Sequence, residues 1–264
     1  MADPENFLTK IQGEFTQRAS SERLADRRLG EIALARLNSG CFGPSWNHHS
    51  TIYLKRQILS RVLYQDMLYR KILDVAGVVC EFGVHWGATM ATLMNLRGIY
   101  EPYNHSRVIY GFDTFAGFPD VDKNDGDLLC SGDYATSDGY EAELAEVLAI
   151  HEAFSPISHL RKFDLIKGDV LETLPKWLED NPHAIVAMAI FDMDIYMPTK
   201  AALKAILPRL TIGSLLVFDE LNCKHFPGET QAVIEVLGLH NIRLQHFPHQ
   251  PYCAFAVYEG QKAR

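Results

Sequence analysis

The stretch Val78-Val79-Cys80-Glu81-Phe82-Gly83-Val84-His85-Trp86-Gly87-Ala88-Thr89 limits the architecture of this chain more than any other. A run of Val, Val, Cys and Phe predicts a short strand covered on both faces, because such strands read as near-continuous apolar runs. Gly83 and Gly87 then let the backbone turn tightly and approach a ligand closely, and a helix is expected from about Gly87. The dinucleotide fingerprint has a third glycine that is missing here. The stretch therefore predicts a ligand-binding strand–turn–helix and leaves the ligand open.

Strand and helix alternate from there. Residues 108–112 run into Asp113, 165–166 into Gly168-Asp169, 184–191 into Asp192, and 215–218 into Asp219-Glu220. Helices are expected over 87–97, 140–153, 171–179, 199–210 and 230–239. That alternation predicts an α/β fold with a parallel sheet wound by right-handed crossovers. Residues 242–247 and 254–258, separated by Pro248-His249-Gln250-Pro251, predict an antiparallel pair at one edge. Residues 1–75 are expected to lie outside the sheet as an N-terminal helical extension, for oligomerisation or for capping a substrate, and 76–264 to form the ligand-binding domain. Within the extension, 6–36 is rich in Leu, Ala, Arg and Glu, 39–45 is a loop, and 53–75 carries Leu54, Ile58, Val62, Leu63, Leu68, Ile72 and Leu73 at helical spacing.

Composition narrows the function classes. With 47% hydrophobic residues and 22% charged, the chain can bury a large core. A net charge of −8 without a basic stripe argues against nucleic acid as a partner. No apolar run approaches membrane-spanning length and the N-terminus has no signal core, so no membrane partner and a cytoplasmic location are expected. The five cysteines are odd in number and far apart, which predicts reduced thiols with Cys80 in the core. His48-His49 and the trio His240, His246 and His249 lack helical ligand spacing and read as surface histidines.

Five predicted strands end in a carboxylate: Glu81, Asp113, Asp169, Asp192 and Asp219. Open α/β sheets bind ligands outside the carboxyl ends of their strands, so these acids are expected to line one crevice. A single acid after a strand commonly caps the next helix, and for Asp169 capping explains the residue as well as binding does.

Glu81-Phe-Gly-Val with Gly87 and Thr89, the run from Tyr110 to Pro119, Lys167-Gly-Asp169 with Thr173-Leu-Pro175, Asp192-Met-Asp194-Ile-Tyr196-Met-Pro-Thr199, and Phe218-Asp-Glu220 with Pro227-Gly228 together resemble the macrocin O-methyltransferase (TylF-like) family. The resemblance covers about residues 55–258 and extends to a branch acting on the deoxysugars of calicheamicin-type enediynes. It implies a Rossmann-like class I methyltransferase fold, with a mostly parallel seven-stranded sheet, and transfer of a methyl group from S-adenosylmethionine to a sugar hydroxyl in antibiotic biosynthesis. Homo-oligomers and a glycosylated natural product or sugar acceptor are also implied.

The same resemblance implies residue roles. Gly83, Gly87 and Thr89 would meet the methionine end of the cofactor, with Glu81 near its ammonium group. Asp113 would accept from the ribose hydroxyls, and Asp169 would sit by the adenine. Asp192, Asp219 and Glu220 would hold Mg²⁺, a hard cation suited to carboxylate oxygens. A neutral alcohol is a poor nucleophile and needs a base, and Asp194 matches the one proposed in one branch of the family, whereas the macrolide branch uses a histidine displaced from this point; His225 is a weaker alternative. Asp192 and Asp194 also have a plainer explanation, since they precede Pro198, a favoured early helix residue. Four clustered carboxylates would nonetheless repel one another without a cation. The acidic segment 120–139 is expected to act as a lid beside the crevice. Two other functions share parts of the pattern: an NAD(P)-dependent oxidoreductase, which would also place an acid at Asp113, and a non-catalytic binding module.

Overall fold

The computed structural model describes residues 8–260, and the chain divides into two compact units, one ending at Arg61 and the other beginning at Val62. The expected division after residue 75 falls beyond the helix that carries this boundary, α3 (Arg56–Lys71).

The first unit opens with a hairpin, β1 (Leu8–Ile11) and β2 (Glu14–Gln17), where a helix is expected. The reason is local. Gln12 and Gly13 both take positive φ, 52° and 86°, the geometry of the two-residue turns that match strand twist, and Thr9, Phe15 and Thr16 favour strands. Asn6 and Phe7, part of the same expectation, lie outside the described residues. Helix α1 (Ser20–Asn38) and the one-turn α2 (Trp46–His49) follow. Asp26 is paired with Arg18 and Lys55, and their charges and hydrogen bonds hold its carboxyl below the usual range.

The second unit is the α/β sheet. Its elements are β3 (Val78–Phe82), α4 (Ala88–Tyr100), β4 (Ile109–Asp113), α5 (Tyr140–Ala153), β5 (Phe163–Lys167), α6 (Val170–Asp180), β6 (Val186–Phe191), α7 (Tyr196–Ile206), β7 (Leu210–Phe218), α8 (Gly228–Val236), β8 (Gln245–Phe247) and β9 (Gln250–Val257). The strand order is β5-β4-β3-β6-β7-β9-β8, with the first five parallel and the β8–β9 hairpin antiparallel at the edge. Every expected strand and helix of this unit is present, shifted by a few residues at the ends.

Alternation along each strand feeds two cores. Val79, Ile109, Met188 and Leu215 pack with Leu93, Leu148 and Leu68 on one face. Cys80, Phe82, Phe112, Ala189 and Leu216 pack with Leu174, Trp177, Leu203 and Val233 on the other. All five cysteines are free thiols, and Cys80 is fully buried, which drives its pKa up by desolvation. No helix among the described residues is long and apolar enough to cross a membrane.

Candidate active site

Four phenylalanines set the floor of the site. Phe112, Phe82, Phe191 and Phe218 occupy paired positions on β4, β3, β6 and β7, with neighbouring ring centroids 5.0, 5.3 and 5.3 Å apart. Each is the last apolar residue of its strand, and the residues that follow are Asp113, Gly83, Asp192 and Asp219. A buried aromatic ladder thus fixes the strand ends in one row, and the next residue of each strand meets the crevice. The sheet order reverses between β3 and β6, so Gly83 and Asp192 flank the switch point, where open α/β sheets bind their ligands.

Gly83 lies at φ +92°, and a Cβ there would sit 1.9 Å from the carbonyl oxygen of Asp192. Only glycine fits so close to a neighbouring backbone. Gly87, at φ +79°, starts α4. Between them the backbone is gathered by Asp113, whose Oδ2 accepts from Val84 N at 2.7 Å and His85 N at 2.8 Å while Oδ1 accepts from Phe115 N at 2.6 Å. Three main-chain donors therefore shape this loop around one carboxylate. His85 and Phe115, at φ 50° and 57°, are held in the left-handed region that side chains disfavour, a cost that an anchored loop can carry.

The other half of the row is crowded with acids. Asp192 follows β6, with its N–H on Phe82 O at 2.8 Å. Asp194 is buried at φ 60°, in a tight turn closed by Ile195 N donating to Met193 O at 2.6 Å. Asp219 Oδ1 accepts from the buried Cys253 thiol at 3.0 Å. Glu220 N donates to Glu229 Oε1 at 3.1 Å. Glu229, in the first turn of α8, is fully buried, and its second oxygen has no hydrogen-bond partner among the described residues. Burial, and then the charges of Asp219, Asp194 and Asp192, push its carboxyl well above the usual range, opposed by the Glu220 N–H. Sequence reasoning missed Glu229; its only signal was a glutamate two residues after Pro227 at the head of a short helix.

The remaining expected residues are placed differently. Glu81 is 1% exposed and lies within β3, one residue short of its end, because the strand continues through Phe82. Thr89 sits in the first turn of α4, where its hydroxyl accepts from Gln65 Nε2 at 2.9 Å. Asp169 caps α6, accepting from Leu171 N at 2.9 Å. His225 is half-buried in the segment before α8. Asp192, Asp219 and Glu220 share one end of the sheet, but among the described residues no three His, Cys, Asp or Glu side chains converge closely enough to hold a metal ion. Segment 120–139 is tied down by a short 3-10 turn at Lys123–Asp125 and by an isolated bridge between Ala116 and Ala135.

A parallel sheet closed at one edge by an antiparallel hairpin, with a glycine turn at the switch point and an acid at the neighbouring strand end, is the class I methyltransferase fold. The chain belongs to the macrocin O-methyltransferase (TylF) family, whose model matches residues 61–243, and it is an O-methyltransferase. Among solved structures it is similar to CalS11, a calicheamicin methyltransferase, with 39% identity, a TM-score of 0.86, and 95% of this chain and 97% of that one covered. An apo structure of CalS11, described as a TDP-rhamnose 3'-O-methyltransferase, aligns with 38% identity and a TM-score of 0.80 over 91% of this chain and 96% of that one. Demethyldecarbamoylnovobiocin O-methyltransferase of Streptomyces niveus is 26% identical over 213 residues, 74% of this chain and 72% of the relative. Family membership decides against the oxidoreductase and binding-module alternatives.

Proposed function

We propose that this enzyme transfers the methyl group of S-adenosylmethionine to a sugar hydroxyl in the biosynthesis of a glycosylated natural product, with Mg²⁺ at the acid-rich half of its crevice. The observation that carries this reading is the single row formed by the Gly83 turn, Asp113, Asp192 and Asp219 on the phenylalanine ladder. It sets a glycine turn and a set of acids side by side.

The Gly83–Gly87 backbone would receive the methionine end of the cofactor, with Glu81 and Thr89 behind it. Asp113 would turn its remaining lone pairs to the ribose, since a carboxylate offers about four acceptor sites and three are used. S-adenosylmethionine, when bound there, would supply the methyl group that the acceptor oxygen takes, with S-adenosylhomocysteine as the leaving product. The hydroxyl proton would pass to Asp194, which is buried in its tight turn.

Asp192, Asp219 and Glu220 offer the oxygen donors that a magnesium ion prefers, and Asp192 and Asp219 add negative charge beside buried Glu229, but their side chains are not drawn together as three ligands. Such an ion, when bound, orients neighbouring sugar hydroxyls and lowers the pKa of the one attacked. The N-terminal unit is assigned to self-association: α1 buries no residue and leaves Leu24 and Leu34 exposed by 67% and 62%. Sedimentation of the enzyme with and without residues 1–61 tests that role.

Calorimetry with S-adenosylhomocysteine and with Mg²⁺, followed by turnover of TDP-rhamnose, tests the function. The acidic 120–139 segment favours a glycoside over a nucleotide sugar, whereas the name of the CalS11 relative favours the nucleotide sugar, so TDP-rhamnose is the first acceptor to offer. Binding of S-adenosylhomocysteine with methylation of TDP-rhamnose or of a rhamnosylated aglycone supports the reading. NAD⁺ binding in its place would sink it.

A further inference from the structure

Helix α7 begins immediately after the Asp192–Asp194 turn, and its N-cap position is Ile195, whose side chain has no acceptor to offer. The first N–H of the helix, on Tyr196, is buried and needs a partner from elsewhere. It donates to Asp125 Oδ1 at 2.6 Å, across 71 positions of sequence. Asp125 is 1% exposed, and its other oxygen accepts from Asp122 N at 2.7 Å in a reciprocal capping box that fixes the 3-10 turn of the acidic segment. A second observation marks the same junction. A Cβ at Gly228 would lie 2.1 Å from Asp125 Oδ1 and 2.7 Å from Tyr196 N, so the start of α8 meets the other two segments where only a glycine fits.

We propose that Asp125 is a positioning residue: by capping α7 from the 120–139 segment, it fixes the turn that carries Asp192 and Asp194, so that segment and acids are placed as one unit. The inference rests on the reading of Asp192 and Asp194 as the residues that act on the acceptor. Asp194 sits at φ 60°, a conformation that local preference does not hold, and the Tyr196 anchor is two residues away. The cofactor end of the crevice is built separately, since Asp113 is held by Val84, His85 and Phe115. Positioning of the acids and binding of the cofactor are therefore separable.

The test measures amide exchange over residues 192–197, calorimetry with S-adenosylhomocysteine, and TDP-rhamnose turnover. It compares the wild type with Asp125→Ala, Asp125→Asn, Gly228→Ala and Asp194→Asn. In Asp125→Ala, exchange at Tyr196 is expected to rise about tenfold or more as the helix start opens locally. Its kcat should fall roughly ten- to a hundredfold, the scale of a small misplacement of catalytic groups. S-adenosylhomocysteine affinity should stay within about twofold, because no cofactor contact is removed. Asp125→Asn keeps an oxygen acceptor and should recover most of the turnover, whereas Gly228→Ala, which pushes Asp125 aside, should behave like Asp125→Ala. Wild-type kcat in Asp125→Ala beside an inactive Asp194→Asn would overturn this inference alone. Full activity of Asp194→Asn would instead overturn the reading beneath it. Equal loss of turnover and S-adenosylhomocysteine affinity in both Asp125→Ala and Gly228→Ala would also overturn it, marking a general folding contact.

Discussion

The two halves of the crevice use the same residue type in opposite ways. On β4, Asp113 is surrounded by donors: three backbone N–H groups converge on it, and its charge organises a loop. Beyond β6 and β7, Asp192, Asp194 and Asp219 lie near Glu229, whose pKa is pushed up first by burial and then by their charges. The first carboxylate is satisfied by the fold. The others bring negative charge together at one end of the sheet, and the proposed function uses that charge for a cation and a proton acceptor.

The sharpest way to break this contrast is Gly83→Ala, because Gly83 touches both halves. A Cβ 1.9 Å from Asp192 O, at φ +92°, forces the two strand ends apart, with an expected cost of roughly 3 kcal/mol or more and loss of both cofactor and acceptor function. A thermal melt and S-adenosylhomocysteine titration check it, and a wild-type melt would contradict the close approach. Asp192→Asn should spare the donor-rich half. Turnover is expected to drop about a hundredfold or more while S-adenosylhomocysteine affinity holds, since the role proposed for Asp192 is to hold Mg²⁺ beside the acceptor rather than to bind the cofactor. Asp113→Ala is the mirror experiment. It strands three N–H groups and should destabilise the enzyme by roughly 3 kcal/mol while weakening S-adenosylhomocysteine and leaving Mg²⁺ binding in place.

Glu229 supplies the pH test of the acid-rich half. Its folded pKa is raised, so the folded state holds the proton more tightly than the unfolded one. The stability this contributes is fully present below the ordinary carboxylate range and is lost as pH rises through the folded value. In chelator, the melting temperature of the wild type should therefore decline across that interval, and Glu229→Gln should flatten the decline. The smallest effect belongs to Asp169→Ala, which removes one helix cap worth about 1 kcal/mol. A much larger loss of cofactor affinity in that variant would give Asp169 the adenine role as well.

Much of this was legible in the residues. Apolar runs separated by helical stretches predicted every strand and α-helix from β3 onward, because a strand covered on both faces and the helix that covers it each leave a distinct periodicity. The motifs carried the family, and the family model matches the same part of the chain. Residues 8–17 were not legible as a hairpin, since the decisive feature is positive φ at Gln12, a residue with no strong preference for it. The strand end expected at Glu81 falls one residue short, because β3 continues through Phe82.

The sequence by itself determined the sheet, its winding and the chemical identity of the strand-end acids, since these follow from local patterning that each segment carries alone. Only the tertiary structure decided what each acid does. Asp113 gathers a loop, Asp169 caps a helix, Glu229 joins the acid cluster, and Asp125 reaches 71 residues to cap α7. A carboxylate's role is set by the donors and charges that surround it, and those come from segments far apart in the chain.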